Sequence, residues 1–395
     1  MMKKKNDETE HETAEKTISV RSKKDIAKER NRKVLSAESL IKKDKKLSTQ
    51  KIGRGDDEFL KVHRIPTGIY LIDKYSMGGV PQRRITLSWG ESSAFKSTLA
   101  LKTVAQAQRF CRLCYTYFVL DYTENEHGKP TVCPECGSET PYKCLWVDAE
   151  KSYDEEYAKK LGVITDELLV LDPDSGENTI EVLEVFFENE IDLIVIDSLA
   201  ALNPKKELEK EAEKEKKIGA KANLISNLLD RILNYFSGDY PPAIFLINQT
   251  RDDISAFKNA YMATPQRKPG GRSQEFLSAL TFRHYKSRKK ETTFDDTGQK
   301  IKKEMYIEIE KSKVSPEHDK MSISFYAADD KNHRLGEMNC SDIIYEEFKD
   351  KIQSVKGGSI AVLGKKFKNI TAFKDALKKD VTLRWAAVKA SIGKK

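Results

Sequence analysis

No stretch of the 395 residues approaches the roughly eighteen uninterrupted apolar positions of a membrane-crossing helix, so a membrane role is not expected. The Lys/Glu-rich N-terminal region also lacks an apolar signal core, which points to an intracellular, cytoplasmic protein. Cysteine is scarce, at six residues, and without an export signal a disulfide framework is disfavoured. Four of the six instead form two close pairs, Cys111 with Cys114 and Cys133 with Cys136, in a C-x2-C-x18-C-x2-C spacing. That spacing suits four thiolates around one Zn²⁺, with 115–132 as an intervening hairpin and turn. A shell of four thiolates leaves no open position, so the metal is expected to be structural. Cys144 and Cys340 have no such partners and read as small core residues. Aromatics are few in the first sixty residues, a polar arm of net charge +5 expected to order only on docking.

The richest segment is Gly90-Glu91-Ser92-Ser93-Ala94-Phe95-Lys96-Ser97-Thr98, between the apolar run Ile85–Trp89 and a helical pattern starting near Ser97. It fits the phosphate-loop pattern G-x4-G-K-[ST] except that Phe95 stands where the second glycine belongs. Backbone N–H groups entering a helix bind an anion, Lys96 supplies charge for the β- and γ-phosphates, and the Ser97 hydroxyl can reach Mg²⁺. A bulky residue in place of glycine requires either an altered backbone or a side chain directed outward. Other apolar strands also end in polar groups: Cys144–Val147 before Asp148 and Glu150, Leu193–Ile196 before Asp197, and Ala243–Ile247 before Asn248 and Gln249. Strands alternating with helices imply an α/β fold with a mainly parallel sheet, whose carboxyl edge gathers ligands. Helices are expected at Ser97–Arg109, Glu155–Leu161, Thr179–Asn189 and Ala220–Phe236. A further strand is expected at Leu168–Leu171, and Ala279–Tyr285, Met305–Glu310 and Ser322–Tyr326 should extend the sheet as antiparallel strands.

Six ordered stretches carry a family resemblance: Gly78-Gly79-Val80-Pro81, the loop from Gly90, Val147-Asp148-Ala149-Glu150, Asp197 to Pro204, Ile247 to Arg251, and Gly270-Gly271. From about His63 to Tyr326 the chain resembles RecA-type strand-exchange recombinases. Phe95 resembles the variant of the phage UvsX-like branch, which would place the protein in a host cytoplasm if it is phage-encoded. The resemblance implies a RecA-like P-loop ATPase core using ATP and Mg²⁺. Lys96 and Ser97 would bind phosphate and Mg²⁺, Asp197 would orient the Mg²⁺ shell, Glu150 would polarise the attacking water, and Gln249 would sense the γ-phosphate. Asp154 and Tyr157 resemble the adenine-flanking residues, with Tyr153 close by. Lys311 and Lys313 match paired lysines that reach a neighbouring subunit's γ-phosphate, and Phe276 fits an interface aromatic.

Two segments are expected to contact DNA. The first spans 205–219, where Ile218 matches an apolar wedge and Ser226 a phosphate contact in the next helix. Asp230 replaces a basic residue of the bacterial proteins, and Arg231 stands beside it. The second runs from Arg251 to Arg272 and holds Phe257, Tyr261, Arg267, Lys268, Gly270 and Gly271, a mixture suited to stacking bases and neutralising phosphates. The last 45 residues, 351–395, carry a net charge of +10 around an apolar set that includes Phe367, Phe373, Leu377 and Trp385. They read equally as a module capturing duplex DNA or as a charged structural cap.

The expected organisation is a polar arm over 1–62 with a docking helix near 24–43, a core over 63–330 with the zinc ribbon 111–143 inserted, and a basic C-terminal module over 331–395. The implied activity is DNA-dependent ATP hydrolysis by filaments of this chain on single-stranded DNA, pairing it with duplex DNA and exchanging strands in recombination, repair and recombination-dependent replication. A recombination mediator or single-strand-binding protein is a further partner. A RecA-fold helicase or translocase, or a regulatory paralogue that does not exchange strands, is the alternative.

Overall fold

The computed structural model describes residues 60–123, 126–205, 219–236, 241–252, 266–286, 293–294, 300–327, 334–355 and 357–393, with isolated positions before them. Residues 62–395 form one compact unit and 1–61 another. Most of the expected docking helix near 24–43 lies outside the described residues.

The larger unit is built on a nine-stranded sheet: β1 (Ile85–Gly90), β2 (Cys144–Asp148), β3 (Leu168–Leu171), β4 (Leu193–Asp197), β5 (Ala243–Gln249), β6 (Leu280–Tyr285), β7 (Thr293–Phe294), β8 (Lys300–Ser312) and β9 (His318–Tyr326). Their spatial order is β7-β8-β6-β1-β5-β4-β2-β3, with β9 also paired to β8. From β6 through β3 every pairing is parallel. The expectation that 279–285 adds an antiparallel strand is corrected: β6 runs parallel to β1, with Leu280 opposite Thr86 and His284 opposite Gly90, and is antiparallel only to β8. The alternation of its side chains reports which faces are buried and says nothing of strand direction.

Strands β1, β4 and β5 are buried along nearly their whole length, as expected where both faces of a sheet are covered. The alternation of side chains divides the interior in two. Trp146, Val195, Phe245 and Phe282 face one core with Leu99 and Val104 of α1 (Lys96–Ala107). Val147, Ile196, Leu246 and Leu87 face the other with Ile180 of α3 (Gly176–Glu188) and Leu224 and Leu228 of α4 (Ala220–Tyr235). Between β2 and β3, the short α2 (Glu155–Lys160) begins with Asp154 accepting a bond from the Tyr157 N–H at 3.0 Å.

Downstream, α5 (Ser273–Leu277) precedes β6, and α6 (Cys340–Phe348), a three-stranded antiparallel sheet over 353–367, α7 (Ile370–Lys379) and α8 (Val381–Ile392) complete the chain. Phe373, Leu377, Leu383 and Val388 join the same core as α1. Trp385 packs edge-on against Phe110 with centroids 5.5 Å apart. The C-terminal helices therefore share a hydrophobic interior with α1, and a small sheet precedes them that the sequence pattern did not suggest.

Candidate nucleotide and metal sites

The loop between β1 and α1 is shaped by backbone conformations that its sequence can barely supply. Gly90 has φ 151°, and a Cβ there would lie 2.2 Å from the His284 carbonyl oxygen. Ser93 and Phe95 both take left-handed φ, at 58° and 66°. Phe95 thus adopts the conformation a glycine reaches freely, at a cost of about 1 kcal/mol. Its ring leaves the loop to pack against Phe325, centroids 4.9 Å apart. Of the two consequences expected of a bulky residue here, the structure shows the outward side chain, while the backbone keeps the left-handed conformation that suits a glycine.

Lys96 is buried, and its ammonium donates to the Glu91 carbonyl at 2.6 Å. Burial lowers its pKa while the carboxylates of Asp197 and Glu150 oppose that shift. Ser97 donates from its hydroxyl to Asp197 Oδ2 at 2.6 Å, joining the start of α1 to the end of β4. Asp197 is pushed up to about 6 by burial, partly offset by the Ser97 bond and reinforced by neighbouring Glu150. A buried carboxylate bonded to a hydroxyl offers two adjacent oxygen ligands that fit a divalent cation, whose charge would offset the burial of the carboxylate.

Glu150 follows β2. Its Oε1 accepts from Gln249 Nε2 at 2.7 Å and from the Ser198 hydroxyl. Asp148, also at this edge, is committed elsewhere: it accepts from the backbone N–H groups of Ser152 and Tyr153 at 3.0 and 2.9 Å. That separates two carboxylates the sequence left adjacent, one turned into loop scaffolding and one meeting Gln249. Tyr157 bonds Thr98 through its hydroxyl at 2.8 Å, so α2 touches the first turn of α1.

Asn248, beside Gln249, donates to the Pro269 carbonyl at 2.9 Å and to Gln274 Oε1 at 2.7 Å. The second loop is therefore tied at its stem to the strand end that meets Glu150. Arg251 pairs with Arg267 and Asp252 with Gln266 in a two-residue antiparallel ladder. Gly270 (φ 91°) and Gly271 (φ 82°) pack on α4, where a Cβ on Gly270 would come within 2.2 Å of Ile225 Cδ1. Phe257 and Tyr261 lie outside the described residues, as do Ile218 and 206–217.

Two expected DNA contacts are differently placed. Lys268 is turned inward, paired with Glu310 at 3.1 Å and Glu275 at 3.2 Å and seated 4.1 Å over the Trp89 ring. Its side chain is 9% exposed, so it braces the loop against β1 and is not presented to a phosphate. Arg231 pairs with Glu184 of α3 at 2.7 Å, while Arg272 is exposed and Ser226 half-buried. Lys311 donates to the Glu275 carbonyl, and Lys313 donates to that of Phe276 at 2.8 Å. Both ammonium groups thus sit at the carboxyl end of α5 beside Phe276, which is 66% exposed.

In the inserted segment the four Sγ atoms of Cys111, Cys114, Cys133 and Cys136 all lie within 4.8 Å of one another. Cys111 and Cys136 Sγ are 3.7 Å apart, close to the ~3.8 Å edge of a tetrahedron of sulfurs 2.3 Å from a central zinc. The two turns repeat each other. Tyr115 N–H bonds the Cys111 carbonyl and Gly137 N–H the Cys133 carbonyl, both at 3.0 Å, with both donors in left-handed φ. Backbone N–H groups of Leu113 and Cys114 face the Cys111 sulfur, and those of Glu135 and Cys136 face the Cys133 sulfur. Such donors stabilise thiolates, so the residues fit Zn²⁺. Cys144 and Cys340 are buried away from this cluster.

A residue that motif reading passed over completes the nucleotide side. His284, on β6, is buried beneath the loop with its Nδ1 2.9 Å from the Ala94 carbonyl and its Nε2 2.8 Å from the Ser88 hydroxyl. No linear motif includes it; only the pairing of β6 with β1 brings it there.

The family described as the RecA N-terminal domain matches residues 33–128 and 121–329. Protein RecA of Cutibacterium acnes is 31% identical over 264 residues, covering 66% of this chain and 64% of that protein. Protein RecA of Deinococcus radiodurans is 34% identical over 257 residues, covering 64% and 60%, and that of Thermus aquaticus is 31% identical over 275, covering 69% of each. The chain thus spans about 60–64% of the length of the first two relatives.

Proposed function

The chain belongs to the RecA family, and from that premise we propose that it is an ATP-dependent recombinase that forms filaments on single-stranded DNA, pairs it with homologous duplex and exchanges strands. The observation that carries this reading is the continuous path from Lys96, Ser97 and Asp197 through Glu150 and Gln249 to Asn248 and the stem of the second loop. A hydrolytic site needs only the first part of that path; a DNA-responsive one needs the second.

In this reading the loop N–H groups and Lys96 hold the phosphates of ATP. Ser97 and Asp197 hold Mg²⁺, which when bound neutralises charge building on the phosphates. Glu150 orients and polarises the attacking water. Gln249 donates to Glu150, so it would have to leave that carboxylate to meet a γ-phosphate. Because the adjacent Asn248 holds the second loop, that exchange reports nucleotide state to DNA. Lys311 and Lys313 would reach the neighbouring protomer's phosphates after giving up their carbonyl contacts, making hydrolysis depend on assembly. Arg251, Arg267 and Arg272, with Phe257 and Tyr261, remain the proposed single-strand contacts. Zn²⁺ on the four cysteines supports the inserted ribbon, and Phe95 supports placement in the UvsX-like branch.

The proposed domain plan keeps a polar arm over 1–62, a core over 63–330 and a C-terminal region over 331–395 for duplex capture. Because Phe373 and Leu377 belong to the core, replacing exposed Lys366, Lys368, Lys378 and Lys379 with glutamate tests duplex capture more cleanly than deletion. The deciding experiment combines strand exchange between a circular single strand and linear duplex with electron microscopy of the nucleoprotein. Filaments and joint molecules are expected with ATP; DNA-stimulated hydrolysis on rings or single particles, without joint molecules, would instead identify a helicase or translocase.

A further inference from the structure

Phe95 sets a local problem. A left-handed phenylalanine just before α1 is held only if the peptide preceding it is held, and that peptide carries the Ala94 carbonyl. His284 reaches this carbonyl from the next strand. Because a carbonyl oxygen only accepts, Nδ1 must carry the proton. The neutral ring then accepts the Ser88 hydroxyl proton at Nε2, which fixes both tautomer and ring plane. Burial, with Lys96 nearby, keeps the ring neutral. The same residue touches the other end of the loop, since its main-chain carbonyl is the atom that leaves no room for a Cβ at Gly90. One residue of β6 therefore braces the first position of the loop with its backbone and the fifth with its ring.

We propose that His284 is a positioning residue for the phosphate loop: its Nδ1–H holds the Ala94 carbonyl so that Phe95 keeps its left-handed turn and the loop N–H groups stay aimed at an anion. Ser88 acts through His284 by selecting the tautomer. This rests on reading 90–97 as a nucleotide-binding loop, but the tautomer and the loop geometry are properties of the protein without nucleotide. They can be measured separately.

The test has two arms. In nucleotide-free protein labelled with ¹⁵N-histidine, the resonance absent from His284→Asn should report a neutral ring protonated at Nδ1; an Nε2-protonated ring or an imidazolium at neutral pH would overturn the proposal. In the second arm, binding of a fluorescent ADP with Mg²⁺ is compared among wild type and His284→Asn, →Gln and →Leu, with thermal unfolding as a check on folding. An asparagine amide can take the place of Nδ1 and a glutamine amide that of Nε2. His284→Asn should therefore stay within about threefold of wild type, while His284→Gln and His284→Leu weaken binding about tenfold or more, the loss of one buried hydrogen bond. Equal weakening in all three folded variants would sink the assignment. Failure of the wild type itself to bind nucleotide would refute the reading of the loop, and the tautomer measurement would still decide the role of His284.

Discussion

The loop from Gly90 to Lys96 and the four-cysteine ribbon are both irregular and both contain left-handed residues, yet they are held by different means. The loop lies on a nine-stranded sheet and is fixed from below by buried polar groups: His284, Ser88 and Asp197. Among the described residues the ribbon's own separate core is Cys111, Phe118 and Cys133, with Cys114 and Leu120 packed at its margin. Such a core cannot offset the entropy of ordering some thirty residues, so cross-links must do so. Its attachment to the rest of the unit is spread over several contacts: Tyr117 and Tyr142 are buried in the main core, and the Tyr117 hydroxyl donates to Gln106 at 2.7 Å. Arg109 donates from Nε to the carbonyls of His127 and Gly128 and from Nη1 to those of Ala105 and Gly162, clamping the hairpin to the end of α1. Strain is tolerated in the loop because the fold supports it, and in the ribbon because a metal can.

The largest expected effect tests that difference directly. Removing Zn²⁺ with a chelator, or substituting Cys133→Ser, should abolish a site whose metal binding is worth ~10–16 kcal/mol in small zinc modules. Metal analysis should fall from one zinc per chain to none and protease should cut within 111–143, while the core still binds nucleotide. Loss of nucleotide binding together with the ribbon would show that the two regions are not separately supported.

Next come the chemical residues of the loop side. Lys96→Ala should remove nucleotide binding, whereas Glu150→Gln should keep it and slow hydrolysis ~10²- to 10⁴-fold. Equal loss of affinity in both would refute the division between holding phosphate and positioning water.

A matched pair of glycines sharpens the comparison further. Gly90→Ala meets both a forbidden φ and a backbone atom 2.2 Å away, and should cost ~3 kcal/mol or more in stability, read from denaturant midpoints. Gly137→Ala in the ribbon has nothing within 4 Å and should cost only the ~1 kcal/mol of a left-handed alanine. Similar costs would mean that the loop is freer to rearrange than its contacts require.

The smallest effect is on pH. Burial and the nearby Lys96 drive the His284 pKa down to about 3, below its ordinary 6.5, so the unfolded chain binds a proton that the folded one refuses. Stability from this group is complete above pH 6.5 and falls with acidification, by ~1.4 kcal/mol per pH unit below that point. His284→Asn should lose less stability than wild type between pH 7 and 5.5 in urea titrations; parallel curves would place the ring in water.

The sequence was most legible where chemistry and local pattern coincide. Lys96, Ser97 and Asp197 fall at strand ends marked by apolar runs, and the cysteine spacing alone anticipates a cluster whose sulfurs do converge. It was least legible where tertiary pairing decides. Nothing local says that β6 runs parallel to β1, and without that pairing His284 is one histidine among six. Lys268 looked like a DNA contact because it is a cation on a Gly-containing loop; Trp89, Glu310 and Glu275 claim it, and they lie far from it in sequence or, for Glu275, across a turn. Asp148 and Glu150 differ only in which of them the loop N–H groups of Ser152 and Tyr153 consume.

The ladder joining Arg251 to Arg267, backed by the Asn248 bond to Pro269, has a consequence for how this protein can diversify. A segment closed at its base by its own backbone pairing transmits little of its length to what lies beneath. Closure entropy grows only logarithmically, so doubling the residues enclosed would cost about 0.6 kcal/mol. Under the proposed function, changes of chain length between Asp252 and Gln266 should therefore leave the strand end at Asn248 and Gln249 nearly undisturbed, so the segment proposed to meet DNA could vary while the proposed nucleotide site stays the same.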